Sequence, residues 1–219
     1  MSLSAVKTAL APHGLRDFGA FLTTPEDKLA DSGTIVMVGP AEPGFWAHYT
    51  ASPEYKDGAP DPMNRWSTRV LTKVAKDLGG RALFPFGGPP YQPFIAWAQR
   101  TGHTWQSPVG LLVNADAGLM VSYRGALALP ERLDLPAPPP CPCETCERKP
   151  CLSACPVDAL NGGAYDIPTC HAYLDTSEGA DCLDQGCAVR RVCPISQRYG
   201  RVAAQSAYHM QQFHAPHQR

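Results

Sequence analysis

CPCETCERKPCLSACP (141–156) and CHAYLDTSEGADCLDQGCAVRRVCP (170–194) contain all nine cysteines of the chain, and none lies outside them. Two of the nine, Cys155 and Cys193, are followed directly by proline (Pro156 and Pro194). Cys143, Cys146, Cys151 and Cys155 give C-x2-C-x4-C-x3-C-P, which is the bacterial two-cluster ferredoxin run with its second gap lengthened. Three closely spaced thiolates on one wrapping loop can grip three irons of a cubane. The fourth cysteine, about one helical turn on, points away toward another cluster. The proline after it restricts the chain's path and removes a backbone donor.

Cys182, Cys187 and Cys193 give C-x4-C-x5-C-P, with Cys170 upstream. The crossing rule of two-cluster ferredoxins then assigns Cys143, Cys146, Cys151 and Cys193 to one [4Fe–4S] cluster. Cys155, Cys170, Cys182 and Cys187 fall to a second [4Fe–4S] cluster. Cys141 is left over and is read as a free thiol, with service as a substitute ligand as the alternative. Two zinc sites with four cysteines each would use the same eight residues and describe a zinc-stabilised interaction protein. The paired Cys-Pro endings and the density of the first run favour clusters. Disulfides fit poorly, since clustered cysteines in a reducing compartment are metal ligands more often than bridges.

The rest of the chain sets bounds. Its 219 residues suit one medium domain plus a small one. A formal net charge of -1 gives no support for bulk binding to RNA or to an anionic membrane. The N-terminus MSLSAVKTAL does not read as a secretory signal, and no stretch approaches the roughly 18 apolar residues of a membrane span. A cytoplasmic protein with no membrane partner is expected. Arg148, Lys149, Arg190, Arg191, Arg198 and Arg201 surround the cysteines. They suit an anionic cluster, or a docking patch for an acidic redox partner protein that donates electrons or for RNA, with the overall charge weighing against RNA.

Before the cysteines, residues 4–12 carry a weak helical stripe stopped by Gly14, and residues 19–24 read as a short strand or as the end of that unit. Residues 33–40 (GTIVMVGP) are a clear strand, and 43–52 a short helix begun by Pro43. Trp66, Val70, Val74 and Leu78 recur every four residues through the strongest helix, 64–78. A strand at 81–86, a GGPP loop at 87–90 and a helix at 93–100 follow. Residues 109–113 and 118–129 flank Asn114, Ala115, Asp116 and Ala117, which predicts a β-hairpin. The expected architecture is an α/β domain, specifically an α+β sandwich, over residues 1–135. A proline-rich linker leads to a small ferredoxin-like two-cluster domain over 136–197, and a polar tail over 198–219 holds a short helix that packs back.

This order of parts resembles the epoxyqueuosine reductase family. The resemblance runs over roughly residues 60–197 and is carried by TWQSPVGLLVNADAGLMVSYRGALAL, the proline linker, CETCERKPCLSACPVDAL, TCHAYL and GADCLDQGCAVRRVCP. It implies a first domain similar to cobalamin-processing proteins and distantly to nitroreductases, joined to a two-cluster ferredoxin domain. It also implies cobalamin as a further cofactor, with the clusters feeding electrons to a corrinoid that acts on a small-molecule substrate. The chain departs from the family at two places. Where the family carries an Arg-Asp-Tyr-His-like motif with the presumed proton donor, this chain has Arg65, Trp66 and Ser67, and no acid. The helical-repeat extension that grips tRNA is absent, so the expectation is against tRNA as a partner. Iron–sulfur electron transfer is the reading drawn from the residues; a cobalamin-dependent oxidoreductase is the enzymatic alternative, with its catalytic residues unassigned.

His48, His103, His171, His209, His214 and His217 are weaker candidates, better read as packed or solvated side chains. Phe45, Trp46, Trp66 and Trp97 read as core aromatics that could instead wall a flat cofactor. No Walker A, G-x-G-x-x-G, G-x-S-x-G, H-E-x-x-H or C-x-x-C-H pattern is present, which removes support for nucleotide hydrolysis, serine hydrolysis, zincin chemistry and covalent haem.

Overall fold

Helix α1 (Leu3–Leu10) opens the chain, with the Ser2 hydroxyl accepting from the Ala5 amide as its N-cap. The computed structural model describes residues 1–215. They divide into two units, one of residues 1–104 and 122–139, the other of 105–121 and 140–215.

The first unit is built on strand β1 (Leu15–Leu22) and strand β2 (Thr34–Pro40). Short helices α2 (Phe45–Thr50) and α3 (Pro53–Lys56) come next, then the long helix α4 (Pro62–Asp77). Strand β3 (Arg81–Leu83) and helix α5 (Phe94–Arg100) follow. Strands β4 (Thr104–Gln106) and β5 (Leu112–Asn114), which from residue 105 on belong to the second unit, pair as a small ribbon. Strand β6 (Gly125–Leu129) returns to the main sheet, whose order is β1-β2-β6-β3, antiparallel throughout.

Every residue of β2 and of β6 is buried, so both faces of the sheet are covered at its centre. The β-branched run Thr34-Ile35-Val36 explains why β2 takes this place. The unit is thus a mixed α/β fold on an antiparallel sheet. The predicted hairpin at 109–129 does not form. The Asn114 turn is real, since Asn114 and Gly118 exchange backbone hydrogen bonds of 3.0 and 2.9 Å and Asn114 Oδ1 accepts from the Asp116 amide. The strands it was expected to join go elsewhere: β5 pairs with β4, and β6 lies between β2 and β3.

Helix α4 crosses β3 and β6. Its Trp66, Val70 and Val74 are buried as the four-residue spacing predicts, together with Met63, Leu71 and Ala75. Trp66 meets Phe45 edge-on at 5.4 Å and Tyr49 at 5.9 Å between ring centroids. Trp97 is buried against Phe94 and Phe21, whereas Trp46 is half-buried. Three of the four singled-out aromatics are thus core. Truncating Trp66 to alanine removes the centre of this aromatic group, and a loss of about 3–5 kcal/mol is expected. Urea unfolding followed by circular dichroism would check it; a change under about 1 kcal/mol would mean the group repacks.

The second unit has short helices: α6 (Ile167–Leu174), α7 (Ala180–Gln185), α8 (Ala188–Arg191), α9 (Pro194–Tyr199) and α10 (Ala203–His214). Its core joins Val109, Val113 and Leu119 to Cys151, Leu160, Val189 and Cys193. The expected boundary at residue 135 lies near the crossing at 139–140, but residues 105–121 also belong with the cysteines. Residues 198–215 are part of this unit, and α10 packs on α7, as expected of a tail holding a short helix that packs back.

Candidate metal centre

The cysteines are set by short turns and helix starts. Cys151 lies in a 3-10 turn over Pro150–Ser153, and Cys155 just after it. Cys170 is on α6 and Cys182 on α7, while Cys187 and Cys193 precede the first turns of α8 and α9. Pro194 occupies the first position of α9, where its fixed backbone angle suits a helix start and its missing N–H costs nothing.

Two cavities of this unit sort the eight. The first, of about 340 Å³, is lined by Cys143, Cys146, Cys151 and Cys193. The second, smaller at about 20 Å³, is lined by Cys155, Cys170, Cys182 and Cys187. Each therefore takes three cysteines from one run of sequence and one from the other. The electrostatics divide in the same way. Burial pushes the Cys143 thiol up to about 12, helped by the negative charge of Cys141, Cys151, Cys193 and Cys146. Burial also raises Cys170, with Cys187, Cys155 and Cys182 as its charged neighbours. Cys151 and Cys182 are raised by burial first. A group carrying positive charge into each cavity would reverse these causes. Cys141 is half-buried, outside the lining of either cavity, and its charge reaches Cys143.

The second site has hydrogen bonds on its sulfurs. The Tyr165 hydroxyl donates to Cys170 Sγ at 3.2 Å, and the Ala159 amide to Cys155 Sγ at 3.2 Å. Burial and the bond to Cys170 hold the Tyr165 phenol well above its usual range. Phe213 of α10 stacks on Tyr165 at 6.0 Å.

The basic residues separate into two kinds. Arg148, Lys149 and Arg198 line the first cavity. Arg190 donates to the Leu119 carbonyl; Arg191 donates to the Gly186 carbonyl at 2.8 Å and pairs with Asp181. These last two brace backbone near the sites. Arg201 is half-buried in the stretch between α9 and α10.

The other candidates have ordinary roles. His48 is exposed and His103 half-buried, its amide donating to Thr101 Oγ1. His171 and His214 join α6 to α10 through an Nδ1–Nδ1 contact of 2.9 Å, and His214 Nε2 meets Asp175 at 3.0 Å. His209 is half-buried on α10, and His217 lies outside the described residues. Arg65, Trp66 and Ser67 are all structural. Arg65 holds Asp57 with two bonds of 2.8 and 2.7 Å and caps the Pro60 carbonyl, while Ser67 Oγ donates to the Met63 carbonyl.

Sequence reasoning missed Ser107, Gly118 and Leu119, because the hairpin reading placed them in the first domain. It also missed Tyr165, whose spacing from Cys170 follows no motif. The apolar positions Val109, Val113 and Leu119 were the available signal, but nothing local says which core they join. Comparison of the chain with protein-family models, with curated proteins and with solved structures finds no match.

Proposed function

We propose that this chain is an iron–sulfur redox protein holding two [4Fe–4S] clusters for single-electron transfer. The observation that carries the reading is the sorting of eight cysteines around two cavities with one cysteine exchanged between the runs. Cys143, Cys146, Cys151 and Cys193 would hold one cluster, and Cys155, Cys170, Cys182 and Cys187 the other. The clusters supply one-electron chemistry. The chain's residues ligate them, shield them and tune them through charge and hydrogen bonds to sulfur.

Zinc is the less favoured reading. It needs four ligands within about 2.3 Å of one point. The paired Cys-Pro endings and the dense first run of cysteines favour clusters over such sites. Arg148, Lys149 and Arg198 at the first cavity suit an acidic electron-donor protein. A reducing, cytoplasmic setting fits the free thiols. Among the described residues no helix is long and apolar enough to cross a membrane.

A second reading, a cobalamin-dependent reductase, is favoured by the size of the first unit, since an electron carrier needs only the cysteine unit. The structural commitment of Arg65, Trp66 and Ser67 weighs against epoxyqueuosine as its substrate.

One experiment addresses all three. Anaerobic purification with iron, sulfide and zinc analysis should give about eight irons per chain. Zinc in place of iron would overturn the proposal. Titration with reduced cobalamin then separates the redox readings: a saturable change in the corrinoid spectrum supports the reductase, and an unchanged spectrum supports the carrier.

A further inference from the structure

Ser107 stands at the start of the turn between β4 and β5, and its main chain is fully used. Its amide donates to the Leu111 carbonyl at 2.8 Å, and its carbonyl accepts from the Gly110 amide at 3.0 Å. Pro108 follows and fixes the next backbone angle. The residue is only 6% exposed. Its hydroxyl is buried with no hydrogen-bond partner among the described residues. A buried hydroxyl left unsatisfied costs about 1–3 kcal/mol, so such a group calls for an explanation.

The surroundings supply one. Ser107 lines the first cavity alongside Cys143, Cys146, Cys151 and Cys193. A sulfur-rich anionic group held there would lie beside Ser107, whose backbone is fixed by those two bonds, on a wall that supplies no thiol. Ser196 is a useful contrast. Its hydroxyl is also buried and unpartnered among the described residues, yet Ser196 does not line that cavity.

We propose that the Ser107 hydroxyl donates a hydrogen bond to the sulfur frame of the cluster in the first site and raises that cluster's reduction potential. Reduction adds one negative charge to the cluster, and a donor aimed at its sulfur stabilises the reduced form more than the oxidised one. Ser107 is therefore a positioning and tuning residue rather than a ligand. The inference rests on the two-cluster reading above.

The test is a potentiometric titration of the anaerobically purified full chain, read by the electron paramagnetic resonance of each reduced cluster. Ser107→Ala should keep its full iron content and lower the midpoint of one cluster only. That cluster should be the one retained in Cys155→Ala protein. Ser107→Thr, which keeps the hydroxyl, should hold the midpoint near wild type, and Ser196→Ala should move neither cluster. Unchanged midpoints in Ser107→Ala at full iron content would overturn the inference while leaving the two-cluster reading intact. So would equal shifts in both clusters, or loss of iron from Ser107→Ala. Iron analysis is done first, and a wild-type chain without iron would remove the underlying reading instead.

Discussion

Protein carrying Cys146→Ala with Cys193→Ala should keep about four irons, and protein carrying Cys146→Ala with Cys155→Ala should keep none. The first pair strips one site twice and leaves the other whole. The second pair removes one ligand from each. If each run of sequence served its own cluster, the two results would be exchanged. The expectation follows from the lining of the two cavities, where Cys193 sits with Cys143, Cys146 and Cys151, and Cys155 with Cys170, Cys182 and Cys187. Alanine is the right replacement, because a serine oxygen can still ligate iron. Iron and sulfide analysis of the two double variants, with the visible spectrum as a second readout, decides between the pairings.

Gly118→Ala should lose the first cluster and retain the second, again leaving about four irons of about eight. Gly118 has φ of 58°, a left-handed conformation in which an L side chain costs about 1–2 kcal/mol. Strain of that size would be tolerable alone. The added Cβ, however, would lie 2.5 Å from the Ser196 amide nitrogen, 2.7 Å from Ser196 Oγ and 3.0 Å from Cys193 Sγ. The amide belongs to α9 and cannot swing aside as a side-chain tip can. The methyl group would therefore push the start of α9, and with it the Cys193 ligand. Gly87→Ala is the matched control: φ there is 81°, but no atom lies within 4 Å of the added Cβ. It should show the backbone cost without loss of iron. Equal iron in both variants would show that Cys193 tolerates the displacement.

Parts of this structure can be read from the sequence because their causes are local. Strand β2 follows from an unbroken apolar run closed by Gly39 and Pro40, and α4 from four-residue spacing. The grouping of the cysteines has another source: it is expected from the crossing rule of two-cluster ferredoxins, which joins residues far apart in the chain. The hairpin error has the opposite cause to that of β2 and α4. Asn114 makes the turn its chemistry predicts, but a turn fixes only a few residues. The partners of β5 and β6 are set by distant chain. β6 fits as an interior strand because Gly125 leaves room where Leu71 and the Leu83 carbonyl come close. The C-terminus is polar in sequence, yet the short helix expected to pack back there does form. Gln205 is fully buried on α10, and the helix is held by packing on α7 rather than by a strong apolar stripe.

The exchange of one cysteine between the runs also fixes the order of events during biosynthesis. All residues of the first unit have been synthesised by Pro139, before the first cysteine is added. On the ligation proposed here, the second site needs Cys187 and the first needs Cys193, near the far end of the chain. On that ligation neither cluster can be completed from the first run alone, so both would be loaded after every residue of the sheet has been made. A nascent chain that stalls between the two runs would present open thiols and no finished cofactor.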